Sequence, residues 1–143
     1  MISTARELMT IKPRTASPDT GLAEIARLMR DLDVGMIPIC GVGGALLAVV
    51  TDRDLVIRGL AEDVDVRTAT AADLATGLPV TVGPDADIDD VLAIMADHQL
   101  RRLPVVDNGL LVGIISEADV AREGNTEEVA DTVQAVTSAG HPA

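Results

Sequence analysis

Leu110-Leu111-Val112-Gly113-Ile114-Ile115-Ser116-Glu117-Ala118-Asp119 is an apolar run that ends on a hydroxyl and reaches an acid three residues later. Leu46-Leu47-Ala48-Val49-Val50-Thr51-Asp52-Arg53-Asp54 does the same 65 residues earlier (119 − 54). Each reads as a strand feeding straight into a helix whose N-cap is Ser116 or Thr51. Upstream the two copies agree at a spacing of 66 (84 − 18): Pro18-Asp19 recurs as Pro84-Asp85, Met29 as Met95, and Ile37-Pro38-Ile39 as Leu103-Pro104-Val105. The same register sets Thr4 over Thr70, Leu8 over Leu74, Pro13 over Pro79 and Thr15 over Thr81, so cap, core and turn positions repeat together. The one-residue change falls in a turn, where duplicated units drift. An internal repeat decides the architecture before any propensity argument, and paired units favour binding at their seam.

The elements follow from periodicity. Thr4-Ala5-Arg6-Glu7 has the form of a capping box and predicts a short helix through Met9, echoed by Thr70-Ala71-Ala72-Asp73. Pro13 and then Ser17-Pro18-Asp19 break the chain and leave Thr15, like Thr81 in the second copy, in a short extended piece. Leu22, Ile25, Ala26 and Met29 fall on one helical stripe, as do Ile88, Val91, Leu92 and Met95. Val34 to Ile39 and Leu46 to Val50 predict a hairpin across Gly41-Val42-Gly43-Gly44, and Leu103 to Val106 and Leu110 to Ile115 another across Asp107-Asn108-Gly109. Gly59 and Gly124 are read as the helix stops. Residues 61 to 69 join the copies, and beyond Asn125 a last helix places Val129, Val133 and Val136 on one face, before a loose tail.

At 143 residues the chain is about one domain long, so two copies of roughly 60 residues are expected to share one core, with neither half stable alone. Hydrophobic residues make up 48% without a Phe, Tyr or Trp, so any planar ligand must lie between aliphatic side chains, and base stacking on single strands has no aromatic platform. A net charge of −12 repels phosphate backbones and anionic membranes, which excludes a general nucleic-acid or lipid partner. Cys40 is the only cysteine, and with His98 and His141 it forms no metal-ligand spacing. No signal peptide or long apolar span is present, so a soluble, cytoplasmic protein is expected. Nor is there a nucleophile elbow, a P-loop or a Ser/His/Asp set, so no catalytic role is read.

Two copies in this order, each closing on an apolar strand followed by [ST]-x-x-D, resemble a tandem pair of CBS domains, the arrangement called a Bateman module, over about Ala5 to Gly124. The Leu111 to Asp119 run matches the family signature, and the Leu47 to Asp54 run departs from it at Ala48, where glycine is usual. The resemblance implies an α/β (α+β) fold: two β-α-β-β-α repeats, residues 1–64 and 65–124, packed by pseudo-two-fold symmetry into one module, with residues 125–143 as an added helix and tail. It is similar to stand-alone two-repeat bacterial proteins, some of them stress-related, which implies a regulatory module with no cofactor of its own. Such a module dimerises through helix faces and signals in trans to a protein partner that the sequence does not name.

A strand that turns into a helix at Thr51 or Ser116 points free backbone N–H groups and the positive helix end at a phosphate-sized space. The hydroxyl caps the helix or turns to a phosphate oxygen, and Asp54 or Asp119 can accept two hydrogen bonds from a cis-diol. The resemblance assigns phosphate and ribose of an adenosyl ligand (AMP, ADP, ATP or S-adenosylmethionine) to these four residues, and the neighbourhood of adenine to Thr15 and Thr81. A cap with an acid in the first turn is equally ordinary helix chemistry. Copy two alone brings cations before its central strand, Arg101 and Arg102, where copy one has Gly35 and Met36; these either reach a phosphate or pair with acids such as Asp97. Arg53 is a further candidate. One favoured site at the seam between the repeats, on the side of copy two's cations, and one weaker or empty site are therefore expected. The alternative is an interaction or scaffold protein that keeps the fold and holds no nucleotide.

Overall fold

The computed structural model describes residues 2–75, 77–123 and 133–137. The chain opens with α1 (Ala5–Leu8) and the two-residue strand β1 (Thr10–Ile11), then runs through α2 (Leu22–Leu32), β2 (Met36–Cys40) and β3 (Leu46–Thr51). From β3 it enters α3 (Asp52–Asp54), which continues as a wider π-helical stretch, Leu55–Leu60. The second copy supplies α4 (Ala71–Leu74), α5 (Ile88–His98), β4 (Arg102–Asp107), β5 (Leu110–Ser116) and α6 (Glu117–Glu123). Residues 133–137 are helical.

Both hairpins form where the apolar runs predict them. β2 pairs antiparallel with β3 and β4 with β5, and β1 adds to the free edge of β5 to give the order β1-β5-β4. Asn108 and Gly109 both take positive φ (52° and 84°), the twist a two-residue hairpin turn needs. The pieces after Thr15 and Thr81 each make one parallel bridge, Ala16 to Ile39 and Val82 to Val105, so each hairpin gains an extended flank.

Buried residues gather in two clusters, and the chain divides into two compact units that cut across the sequence copies. One is contiguous, Arg14–Pro79; the other is interleaved, combining the chain up to Pro13 with the chain from Val80 onward. Ala5 and Leu8 of α1 pack with Val91, Met95, Leu103, Ile115 and Val120, whereas Ala71 and Leu74 of α4 pack with Leu22, Ile25, Ile37 and Val50. Each copy's first helix thus serves the other copy's hairpin. The amide of Ala5 donates to the Ala86 carbonyl (2.9 Å) and that of Ala71 to the Thr20 carbonyl (2.9 Å), fixing the exchange at equivalent places.

Local expectations hold with three changes. The Thr4 hydroxyl does not cap α1; it donates to the Glu7 carboxylate (3.1 Å), as does Ser3 (3.1 Å), and these bonds hold that carboxyl below its ordinary value. Ala26 is exposed, so the buried stripe of α2 is Leu22, Ile25 and Met29. Gly59 lies inside the π-helical stretch and does not stop it. Gly124 and Val129 lie outside the described residues, while Val136 is fully buried in the interleaved unit's core with Val133 against it.

Candidate functional site

Each strand-to-helix corner is assembled by the same three bonds. At the first, the Asp54 amide donates to the Thr51 hydroxyl (3.1 Å), the Thr51 amide returns to the Asp54 carboxylate (2.8 Å), and the Asp52 amide donates to the Gly35 carbonyl (2.9 Å). At the second, the Asp119 amide donates to the Ser116 hydroxyl (3.1 Å), the Ser116 amide to the Asp119 carboxylate (2.9 Å), and the Glu117 amide to the Arg101 carbonyl (2.8 Å). These are closed capping boxes, in which each hydroxyl accepts one amide and keeps its O–H to donate. The expectation of several free amides therefore needs correction: the first and third helical amides of each corner already have acceptors. Arg53's own amide turns to the Asp52 carboxylate (2.8 Å).

The acids then part company. Asp54 is half-buried, and among the described residues its carboxylate accepts from the Thr51 amide alone, leaving lone pairs on both oxygens for a diol. Asp119 is 4% exposed, the sole buried charge among the described residues, and burial of a charge demands partners. Arg122, one helical turn on, donates to its Oδ1 at 2.6 Å, and the Thr10 hydroxyl from β1 approaches both oxygens at 3.4 Å. The residue equivalent to Arg122 in copy one is Ile57, which is exposed.

The cations expected at copy two are present and uncommitted. Arg102 stands directly across the ladder from Ser116, as Met36 stands across from Thr51, so strand register brings Arg102 beside the cap. Neither Arg101 nor Arg102 joins an ion pair among the described residues, so the pairing with Asp97 is not formed. Arg53, Arg101, Thr15 and Thr81 are exposed, the two threonines next to the bridging residues Ala16 and Val82. Thr15, Thr51, Arg53 and Asp54 belong to the contiguous unit, and Thr81, Arg101, Arg102, Ser116 and Asp119 to the interleaved one.

Sequence reasoning missed Arg122, Thr10 and Thr137, whose hydroxyl donates to Glu117 (2.9 Å). Arg122 was detectable, since an acid and a base three apart on a helix are neighbours. Thr10 lies 109 positions from Asp119, and no local pattern links them. The acid-rich run at Asp85 to Asp90 is accounted for by helix capping: the Asp87 carboxylate accepts from the Asp89 amide at the start of α5 (2.9 Å).

Two hairpins of this kind, each leading into a capped helix through [ST]-x-x-D, define a CBS-domain pair. The CBS domain model matches residues 5–60 and 71–125, and the chain belongs to this family. Hypoxic response protein 1 of Mycobacterium tuberculosis is 39% identical over 137 residues, covering 96% of each chain. The crystal structure of Hypoxic Response Protein I with two coordinated zinc ions has a TM-score of 0.78 at 42% identity, covering 85% of this chain and 99% of that one. CBSX2 in complex with AMP has a TM-score of 0.74 at 27% identity, covering 83% of this chain and 93% of that one. Among the described residues here, no group of three or more His, Cys, Asp or Glu is gathered to hold a metal ion, and no helix is long and apolar enough to cross a membrane.

Proposed function

We propose that this chain is a non-catalytic regulatory protein that binds an adenosyl ligand at a strand-to-helix corner and passes the signal in trans as a cytoplasmic homodimer. The observation that carries the reading is the Asp54 carboxylate, held in place by the Thr51 amide and otherwise uncommitted among the described residues, at the position to which the resemblance assigns a ribose diol. Thr51 caps the same corner, Thr15 belongs to the same compact unit, and Arg53 offers a cation for a phosphate. A relative in this family was crystallised with AMP, and one named for hypoxic response shares 39% of its residues with this chain, which supports a nucleotide-responsive role in stress. Binding would act only through its differential affinity for two states of the protein.

Dye-reported thermal unfolding against AMP, ADP, ATP, S-adenosylmethionine and NADH tests this, because the chain has no Trp or Tyr to follow. A ligand at about a hundred times its dissociation constant adds roughly 2.7 kcal/mol, several degrees in Tm. The shift is expected with an adenosyl compound, to be lost in Asp54→Asn and with the 2′,3′-dideoxy analogue. A second reading, a ligand-free interaction protein, is favoured by the exposed Val56, Ile57 and Leu60 on the helix after Thr51. No shift across the panel would select it.

A further inference from the structure

Asp119 has the geometry of a filled position. Its Oδ2 accepts the Ser116 amide, its Oδ1 accepts Arg122 at 2.6 Å, and the Thr10 hydroxyl lies 3.4 Å from each oxygen. The neighbouring acid, Glu117, accepts the Thr137 hydroxyl at 2.9 Å, and the helical segment bearing Thr137 is anchored by Val136, which is fully buried. Two acids at the start of α6 are therefore met by three side chains from three parts of the chain: the strand β1, α6 itself and residues 133–137. At the first corner, among the described residues, Asp54 accepts the Thr51 amide alone and an exposed Ile57 stands where Arg122 would be; Thr76, the residue in register with Thr10, lies outside the described residues.

A diol needs two acceptor positions on one carboxylate, and a charge-assisted bond from a guanidinium is stronger than one from a neutral hydroxyl. Three donors already occupy a carboxylate with about four acceptor positions. A ribose diol arriving at Asp119 would therefore have to displace at least one of Arg122 and Thr10, and displacing Arg122 would replace an ion pair at a buried carboxylate with a neutral bond. We infer that the second corner is closed by the chain itself, with Arg122 as the residue that closes it, so that the protein carries one adenosyl position per chain, at Thr51 and Asp54. This is the reverse of what the Arg101-Arg102 pair leads one to expect: copy two keeps the cations, but its diol acceptor is spent internally. The one-per-chain capacity rests on the adenosyl reading above; the closure itself does not.

Two measurements on the full chain separate the two. The first needs no ligand: a double-mutant cycle of Asp119→Asn and Arg122→Ala followed by urea unfolding. Arg122 is 64% exposed in its side chain, so its replacement leaves the core intact. Arg122→Ala is expected to lower the urea midpoint in the wild-type background and to leave it unmoved once Asp119→Asn is present; additive shifts overturn the closure. The second is equilibrium dialysis with AMP. One molecule per chain is expected for the wild type and two for Arg122→Ala, the added one vanishing when Asp119→Asn is combined with it. Two per chain in the wild type, or an unchanged capacity in Arg122→Ala, overturns the inference. If AMP binds neither protein while the cycle shows coupling, the adenosyl reading falls and the closure stands.

Discussion

Cys40 ends β2 with its thiol buried, and burial raises its pKa above the ordinary 9.0 because the thiolate would lose hydration. The thiolate is the reactive form, so native Cys40 should react with a thiol-exchange dye far more slowly at pH 8 than the same chain in urea. Equal rates would contradict the burial. The sign on stability follows: a group whose folded pKa is raised contributes fully below its unfolded pKa, and that contribution is lost as the pH climbs through the folded value. Thr51 offers a second residue-scale check. Removing its cap hydroxyl in Thr51→Ala should cost about 1 kcal/mol in urea unfolding, since the Asp54 amide loses its acceptor. The motif residues themselves were legible because a hydroxyl before a helix and an acid three positions on have local causes. Arg122 as a partner of Asp119 was legible from its spacing of three, but Thr10 was not, because it reaches Asp119 from the opposite end of the sequence.

At the scale of elements, strands and helices were readable wherever the apolar period was strong, and the hairpin at Asn108-Gly109 formed as its residues demand. The third strand was not readable: β1 is two residues long and owes its place to β5. That strand accounts for the glycine at position 113. A Cβ on Gly113 would collide with Met9 Sδ and meet the Thr10 carbonyl at 3.0 Å, because β1 lies across it. Among the described residues no third strand covers Ala48, the matching position on β3, and a methyl fits there. Gly113→Ala should therefore destabilise by about 1–3 kcal/mol, the usual cost of overpacking, and loosen β1 first. Hydrogen exchange at the β1 amides against urea unfolding measures both; exchange unchanged there would mean that β1 does not press on Gly113.

For the whole molecule, the exchange of first helices was hidden behind a repeat that reads as two tidy halves. Leu8 is 3% exposed in the core of the interleaved unit, so Leu8→Ala should cost about 2–5 kcal/mol. The lost protection should appear between Val80 and Glu123, with Arg14 to Ala75 less affected; the reverse pattern would refute the packing. Sequence comparison found the duplication because it aligns like with like, and it was blind to the exchange because α1 and α4 carry the same buried spacing and could serve either hairpin. A cut in the stretch between the two CBS matches, residues 61 to 70, therefore parts each hairpin from the first helix packed on it. Severed there, each fragment keeps a hairpin but surrenders the helix that covers it, and holds a helix that belongs elsewhere. Such fragments are natural reporters of complementation: silent apart, they should regain helical signal when mixed, because each carries the missing piece of the other.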